Sequence, residues 1–286
     1  IYPLCEECGK FCNKTYYCFK CEKNYDGKCP EHGNTFGFKE KRIDIKHYFD
    51  KAKKLVGLRI EELPAVIKGV RGTSNKEHDC ENLAKGLLRA KYNLNVNKDG
   101  TVRYDISEMP ITHFKPKESG TSIEKLKELG YDKDMYGESL ESEEQILEIF
   151  PHDIILPSCP DSPDEKADNV FLKVSHFIDE ELEKLYGQPK FFNVGNRDGL
   201  IGNLFACIAP HICTAVVGRV IGFSKTQALL ASPYMHAAMR RDCDGDEAAV
   251  ILLMDMLINF SRKFLPAHRG GTQDAPLVLN THIRAG

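Results

Sequence analysis

The sequence lacks any apolar run long enough to cross a membrane as a helix, and it shows no signal-peptide pattern. It also lacks a strong overall charge: 39 Lys and Arg stand against 42 Asp and Glu, a net charge of -3. Beyond residue 30 it lacks paired cysteines. Five of the 11 are scattered there without a repeating spacing, and six lie before residue 30. That distribution excludes a disulfide scaffold and points to a reducing compartment and a metal site. With 286 residues and 42% hydrophobic content, the chain can fill one large core or two modest ones.

The small net charge conceals an uneven distribution. Residues 1–60 carry 13 basic and 8 acidic side chains, residues 117–187 carry 7 and 19, and residues 188–286 carry 10 and 7. A nucleic-acid surface is therefore expected at the two ends, with the acidic middle facing solvent or a basic protein.

The stretch that concentrates chemistry is Arg240-Arg241-Asp242-Cys243-Asp244-Gly245-Asp246-Glu247. Aspartates this dense repel one another and call for a shared cation. At spacing two in an extended segment they share a side, and Gly245 permits a tight turn. Carboxylates of this kind suit magnesium. A calcium loop fails on spacing: counted from Asp242, the sixth residue is Glu247 and the twelfth Leu253, where Gly and Glu are required. The blander reading is an acidic cap on a helix over 248–260, which explains one or two acids but not three. Arg240 and Arg241 either balance this charge or grip phosphate, with His236 and Lys225 close in sequence.

At the other end, Cys5-x-x-Cys8 and Cys18-x-x-Cys21 are followed by Cys29-x-x-His32. The economical assignment is one tetrahedral zinc on Cys5, Cys8, Cys18 and Cys21. Cys29 and His32 then belong to a second site or compete for the first. A module this small takes its folding energy from the metal. It either braces the fold or, through Lys14, Tyr16, Tyr17 and Lys20, meets DNA.

Between these ends the pattern predicts helices over 43–55, 81–91 and 167–186. A capping box at Thr121-x-x-Glu124 starts another, and a short helical segment spans 142–149. A hairpin is expected over 94–105 around Lys98-Asp99-Gly100, a rigid loop over 109–116, and a strand at 154–156. Glycine-broken apolar strands in 200–223 suit a small closed barrel.

Taken together, Ala237 to Glu247 resembles the signature of the large subunit of archaeal family-D DNA polymerase. Ile208-Ala209-Pro210-His211, Val217 to Phe223, Asn259-Phe260-Ser261-Arg262, Arg269-Gly270-Gly271, Thr112 to Pro116 and Glu124 to Tyr131 are similar too. The resemblance implies a mixed α+β fold: an N-terminal zinc ribbon (1–40), a helical connecting region with an acidic segment (41–190), and a double-psi β-barrel (191–286) like that of multisubunit RNA polymerases. It implies magnesium-dependent nucleotidyl transfer with Asp244 and Asp246 as metal-binding catalytic residues, and one or two structural zinc ions. The implied partners are primer-template DNA, deoxynucleoside triphosphates, a small exonuclease subunit, a sliding clamp and a primase, in the archaeal cytoplasm. The chain departs from the family pattern at Asp242, Met239 and Ser232, where Asn, Lys and His are usual. It begins at Ile1, and on this reading it is a piece of a longer protein whose first barrel lies upstream. The rival readings are a DNA-dependent RNA polymerase core and a noncatalytic zinc-stabilised DNA-binding module.

Overall fold

A computed structural model describes residues 15–37, 44–59, 66–70, 81–210, 214–261 and 264, and the backbone of 278–280. The chain forms two compact units, Ile1–His47 and Tyr48–Gly286. Among the described residues, no helix is long and apolar enough to cross a membrane.

The first unit holds the antiparallel hairpin β1 (Tyr16–Cys18) and β2 (Lys23–Tyr25), which pairs Tyr16 with Tyr25 and Cys18 with Lys23. Glu22 takes the left-handed conformation in its turn, at φ 54°. Tyr17 also pairs with Phe36, and Phe19 stands edge-on to both rings, at 5.1 and 5.4 Å.

The boundary between the units falls within α1 (Ile45–Val56). Then come β3 (Val66–Lys68), α2 (Leu83–Lys91), β4 (Tyr104–Pro110), β5 (His113–Phe114), α3 (Pro116–Ser119), α4 (Ile123–Glu128), β6 (Leu147–Glu148), β7 (Asp153–Pro157) and α5 (Ala167–Tyr186). After a 3-10 turn over Arg197–Leu200 come β8 (Leu204–Ile208), β9 (Ala215–Ser224), β10 (Leu229–Ala231), α6 (Pro233–Ala238), β11 (Glu247–Leu252), α7 (Leu253–Asn259) and β12 (Val278–Asn280).

Six strands close a barrel in the order β10-β4-β11-β8-β9-β7. The β10–β4 and β7–β9 pairs are parallel and the others antiparallel. The barrel expected of 191–286 alone thus draws β4 and β7 from the region before residue 190. Tyr104, Ile106, Ile154, Leu156, Val220, Val250 and Leu252 enter the main core with Phe171, Phe177 and Phe205. The opposite faces are covered too. Ile155, Ile221 and Leu230 pack with Phe114, Leu126 and Leu147, while Ala206, Ile208, Ala249 and Ile251 form a third cluster.

That double coverage explains the main departure from the sequence pattern. The run 248–260 reads as one helix, but its first part is the central strand β11, buried on both faces, and only Leu253–Asn259 is helical. A strand covered on both sides shows no alternation, so periodicity cannot separate it from a buried helix. Three other segments differ. Over 142–149, Gln145 Oε1 accepts from the amides of Glu141 and Ser142, and Leu147 pairs with β5 instead of entering a helix. The loop expected at 109–116 is the end of β4, then β5 and the start of α3. The 94–105 hairpin keeps its turn, with Asn97 N–H on Thr101 at 2.8 Å, but the strand starts only at Tyr104. The cap of α4 is Ser122, whose hydroxyl accepts from Lys125 N–H, one residue beyond the expected Thr121. Thr121 instead donates to Ile221 O at 2.6 Å. There a β-carbon on Gly222 would sit 2.3 Å from Ser119 O, so only glycine fits against α3.

A buried polar network ties α2, α5 and α7 to the turn before β4. Lys85 bonds Glu181 at 2.9 Å and Asn259 at 2.6 Å, and Asn259 in turn donates to Glu181 and Asp255. Asp255 also accepts Val102 N–H at 2.7 Å. Complete burial dominates these bonds and raises its carboxyl to about 7. A raised folded-state pKa means that the fold favours the proton, so the stabilisation is present in full below the unfolded value and is lost as pH rises through about 7. Denaturant midpoints compared between wild type and Asp255→Asn are therefore expected to diverge from pH 4 to pH 8. The wild type loses a few kcal/mol relative to the variant, on the order of 2–4.

Candidate active site and metal cluster

In the second unit, α6 leads into the acidic loop. Ser232 caps the helix by accepting Tyr234 N–H, and Pro233 sits at its first position. The helix buries His236 and Met235. Met239, where the resemblance implies a lysine, is 2% exposed and belongs to the main core. It contributes packing and no charge.

The loop itself is not extended. Arg240, Cys243 and Gly245 all take positive φ, at 63°, 64° and 98°. Two of them are non-glycine residues held in a region that costs about a kcal/mol or more. These reversals, rather than strand alternation, set the direction of each aspartate. Asp244 and Asp246 converge, and each offers an oxygen that lies, with one from Glu108, within 4.8 Å of the other two. Asp242 is exposed and outside this group.

Glu108 comes from β4. Its amide donates to Asp246 O at 2.9 Å, and β11 continues the pairing with Glu247 opposite Ser107. Glu108 is the residue the motif reading missed. The signal was present in Tyr104-x-Ile106-x-Glu108, where period-two alternation puts the carboxylate on the buried face of the strand.

The predicted basic residues separate. Arg241 holds Asp246 at 3.0 Å and donates its amide to His236 O at 2.9 Å. His236 places Nδ1 3.0 Å from Glu108 Oε2, both side chains fully buried. Burial lowers the imidazole pKa and Glu108 opposes that shift. Burial also raises the Cys243 thiol, helped by the carboxylates of Glu108, Asp242 and Asp244. Arg240 is exposed. Lys225 lines a different cleft with Lys117, Lys166 and Arg197.

In the first unit, Cys18 and Cys21 sit at the hairpin turn, and Cys29 and His32 are brought together by a second turn that closes with Gly33 N–H on Cys29 O at 2.9 Å. Cys21 Sγ lies 3.4 Å from Cys29 Sγ, and His32 Nδ1 lies 3.8 and 3.7 Å from Cys18 and Cys29. These are the edges of a tetrahedron about a metal with bonds near 2.1–2.3 Å, roughly 3.5–3.8 Å. Among the described residues, Cys29 and His32 gather with Cys18 and Cys21, the arrangement in which they compete for the first site. Cys5 and Cys8 lie outside the described residues, as do Cys12, Lys14 and Arg269-Gly270-Gly271. Burial raises the Cys29 thiol, but the backbone and ring of His32, with Cys21 and the Glu31 backbone, together outweigh it and hold it at about 6, so the thiolate a metal needs is favoured. Tyr25 places its hydroxyl 3.3 Å from Cys21 Sγ, behind the cluster.

Comparison with known proteins identifies the family. Residues 60–285 match the family "DNA polymerase II large subunit DP2, catalytic domain". Over 99% of its length the chain is 47% identical to the DNA polymerase II large subunit of Methanocella arvoryzae, of which it covers 24%. The corresponding proteins of Nanoarchaeum equitans and Pyrococcus furiosus are 43% and 42% identical over 99% and 98% of the chain. The chain spans about a quarter of the length of these relatives, 22 to 26%. Because the match runs from one end of the chain to the other and carries the acidic loop and its barrel with it, the chain belongs to the archaeal DNA polymerase II large subunit family.

Proposed function

We propose that this chain carries the acidic half of a DNA polymerase active centre, with Asp244 and Asp246 as the ligands of magnesium. The supporting observation is the convergence of these two carboxylates, set by three left-handed residues, where β11 enters the barrel. The donor set is all oxygen, which fits a hard divalent cation. When bound, such an ion favours deprotonation of a primer 3′-hydroxyl and neutralises charge on a nucleoside triphosphate.

The chain's own residues would do the rest. Asp244, exposed, faces solvent and substrate, while Asp246 is restrained by Arg241. Arg240 is exposed and would meet phosphate. Recognition would be of backbone phosphates and duplex shape, since a replicative enzyme must accept every sequence. We assign the barrel to the double-psi type, supported by its six strands and its two parallel pairs among antiparallel ones. The upstream barrel, the small exonuclease subunit, a sliding clamp and a primase are the proposed partners, with primer-template DNA and deoxynucleoside triphosphates as substrates.

The test is primer extension by the chain joined to its upstream barrel and small subunit. Undiminished synthesis by both Asp244→Asn and Asp246→Asn would overturn the assignment.

For the first unit we propose a structural zinc on Cys18, Cys21, Cys29 and His32, supported by the donor set and its spacing. Removing the metal with a chelator is expected to abolish amide protection over 15–37 and to leave 81–210 protected. Binding energy of about 10–16 kcal/mol is here folding energy. Retained protection in 15–37 after complete metal removal would refute the role.

A further inference from the structure

Glu108 has a close polar neighbour in the fold, the His236 ring. Its side chain is fully buried, yet neither carboxylate oxygen accepts a hydrogen bond from the described residues. His236 is equally buried. Its Nδ1 approaches Oε2 to 3.0 Å without the alignment of a hydrogen bond. A buried, unsatisfied carboxylate costs several kcal/mol. Here it also lies against two further carboxylates, with all three ligand oxygens within 4.8 Å of one another. Arg241 answers one of these charges, at Asp246. The cluster is therefore over-charged, rigidly placed and short of donors.

A divalent cation satisfies all three requirements at once. The position of Glu108 is fixed by the backbone, since its amide bonds Asp246 O and the next pairs of the β4–β11 ladder follow. It reaches the cluster from the neighbouring strand and is buried, whereas Asp244 is exposed. We propose that Glu108 is a third protein ligand for the divalent cation held by Asp244 and Asp246. This inference rests on the metal-binding reading of the acidic loop above. A cation bound in this way joins the loop to β4, and it keeps its solvent-facing positions for water and substrate phosphate.

The experiment is a manganese titration of the whole chain, followed by the paramagnetic resonance of free Mn2+, for wild type, Asp244→Asn, Asp246→Asn, Glu108→Gln and Glu108→Asp. Both aspartate variants and Glu108→Gln are expected to weaken binding tenfold or more. Glu108→Asp, which keeps the charge but draws it back by one methylene, should weaken binding at least threefold. Far-ultraviolet circular dichroism without metal verifies that each variant is folded. If Glu108→Gln binds as wild type while both aspartate variants weaken, Glu108 is not a ligand, and the loop keeps its metal. If the aspartate variants also bind as wild type, the metal reading of the loop falls with it. Should Glu108→Gln fail to fold, wild-type affinity in Glu108→Asp overturns the proposal.

Discussion

Asp244→Asn and Asp246→Asn are each expected to lower the rate of primer extension by about a thousandfold or more, which corresponds to about 4 kcal/mol of barrier. Asparagine keeps the size of the side chain and one acceptor oxygen but removes the charge. The loop's backbone should persist, because its turns depend on Arg240, Cys243 and Gly245 rather than on the carboxylates. The two variants should differ in one respect. Asp246→Asn also loses its ion pair with Arg241, a partly exposed contact of about 1 kcal/mol or less. Its melting temperature should therefore fall slightly, while that of Asp244→Asn stays constant. Asp242→Asn, by contrast, removes a charge at an exposed position outside the cluster. Its extension rate should remain within about threefold of wild type, an effect below 1 kcal/mol. Single-turnover extension at saturating magnesium, with calorimetry on the same samples, distinguishes loss of chemistry from loss of fold. A large defect in Asp242→Asn would show that all three aspartates act together.

Arg89→Met is expected to be the most damaging change to stability. Arg89 is fully buried in α2, and its guanidinium holds Glu81 through both terminal nitrogens, at 2.5 and 2.6 Å. It also donates to Gly100 O at 2.9 Å. Its face lies 5.4 Å from the Phe177 ring centre, so the charge is packed between helices as well as paired. Methionine fills much of the volume but leaves Glu81 buried without its cation, and breaking such a pair costs about 3–5 kcal/mol. That corresponds to a fall in melting temperature on the order of 10 °C for a unit of this size. The turn it braces is tightly constrained. Gly100 is at φ 95°, and a β-carbon there would lie 2.5 Å from Asn259 O. The companion variant is Arg89→Met with Glu81→Leu, which removes both charges. It should recover most of the loss, since a buried pair replaced by apolar groups is close to neutral. If the double variant is no more stable than the single one, the guanidinium acts mainly through Gly100 and Phe177.

The parts of this molecule that announced themselves in the sequence are those whose chemistry is local. Aspartates two apart, a glycine between them and arginines beside them are legible because the residues that act together are neighbours in the chain. The long helix α5 was legible for the same reason, with its amphipathic pattern ending at Gly187, which takes φ 62° as its cap. Where the determinants are distant, the sequence was silent. Glu108 joins Asp244 and Asp246 only because β4 pairs with β11 across most of the second unit. The strand character of Ala248 to Leu252 is imposed by neighbours on both sides, β4 and β8, and not by its own pattern. The ligand set of the first unit was half legible. Each C-x-x-C or C-x-x-H pair could be read, but which pairs share an ion depends on how the turns close.

The closure of the barrel sets an order of events for the newly made chain. Strand β4 has both its barrel partners, β10 and β11, more than a hundred residues downstream. At synthesis rates of roughly 5–20 residues per second, β4 waits about five seconds or longer with its edges unpaired. Pairings this distant in sequence are also slow to form once both strands exist. The rim that gathers Glu108, Asp244 and Asp246 thus cannot take shape until residue 252 has been made. Incomplete chains hold the carboxylates apart, so the ion proposed for them cannot be captured before the barrel is whole.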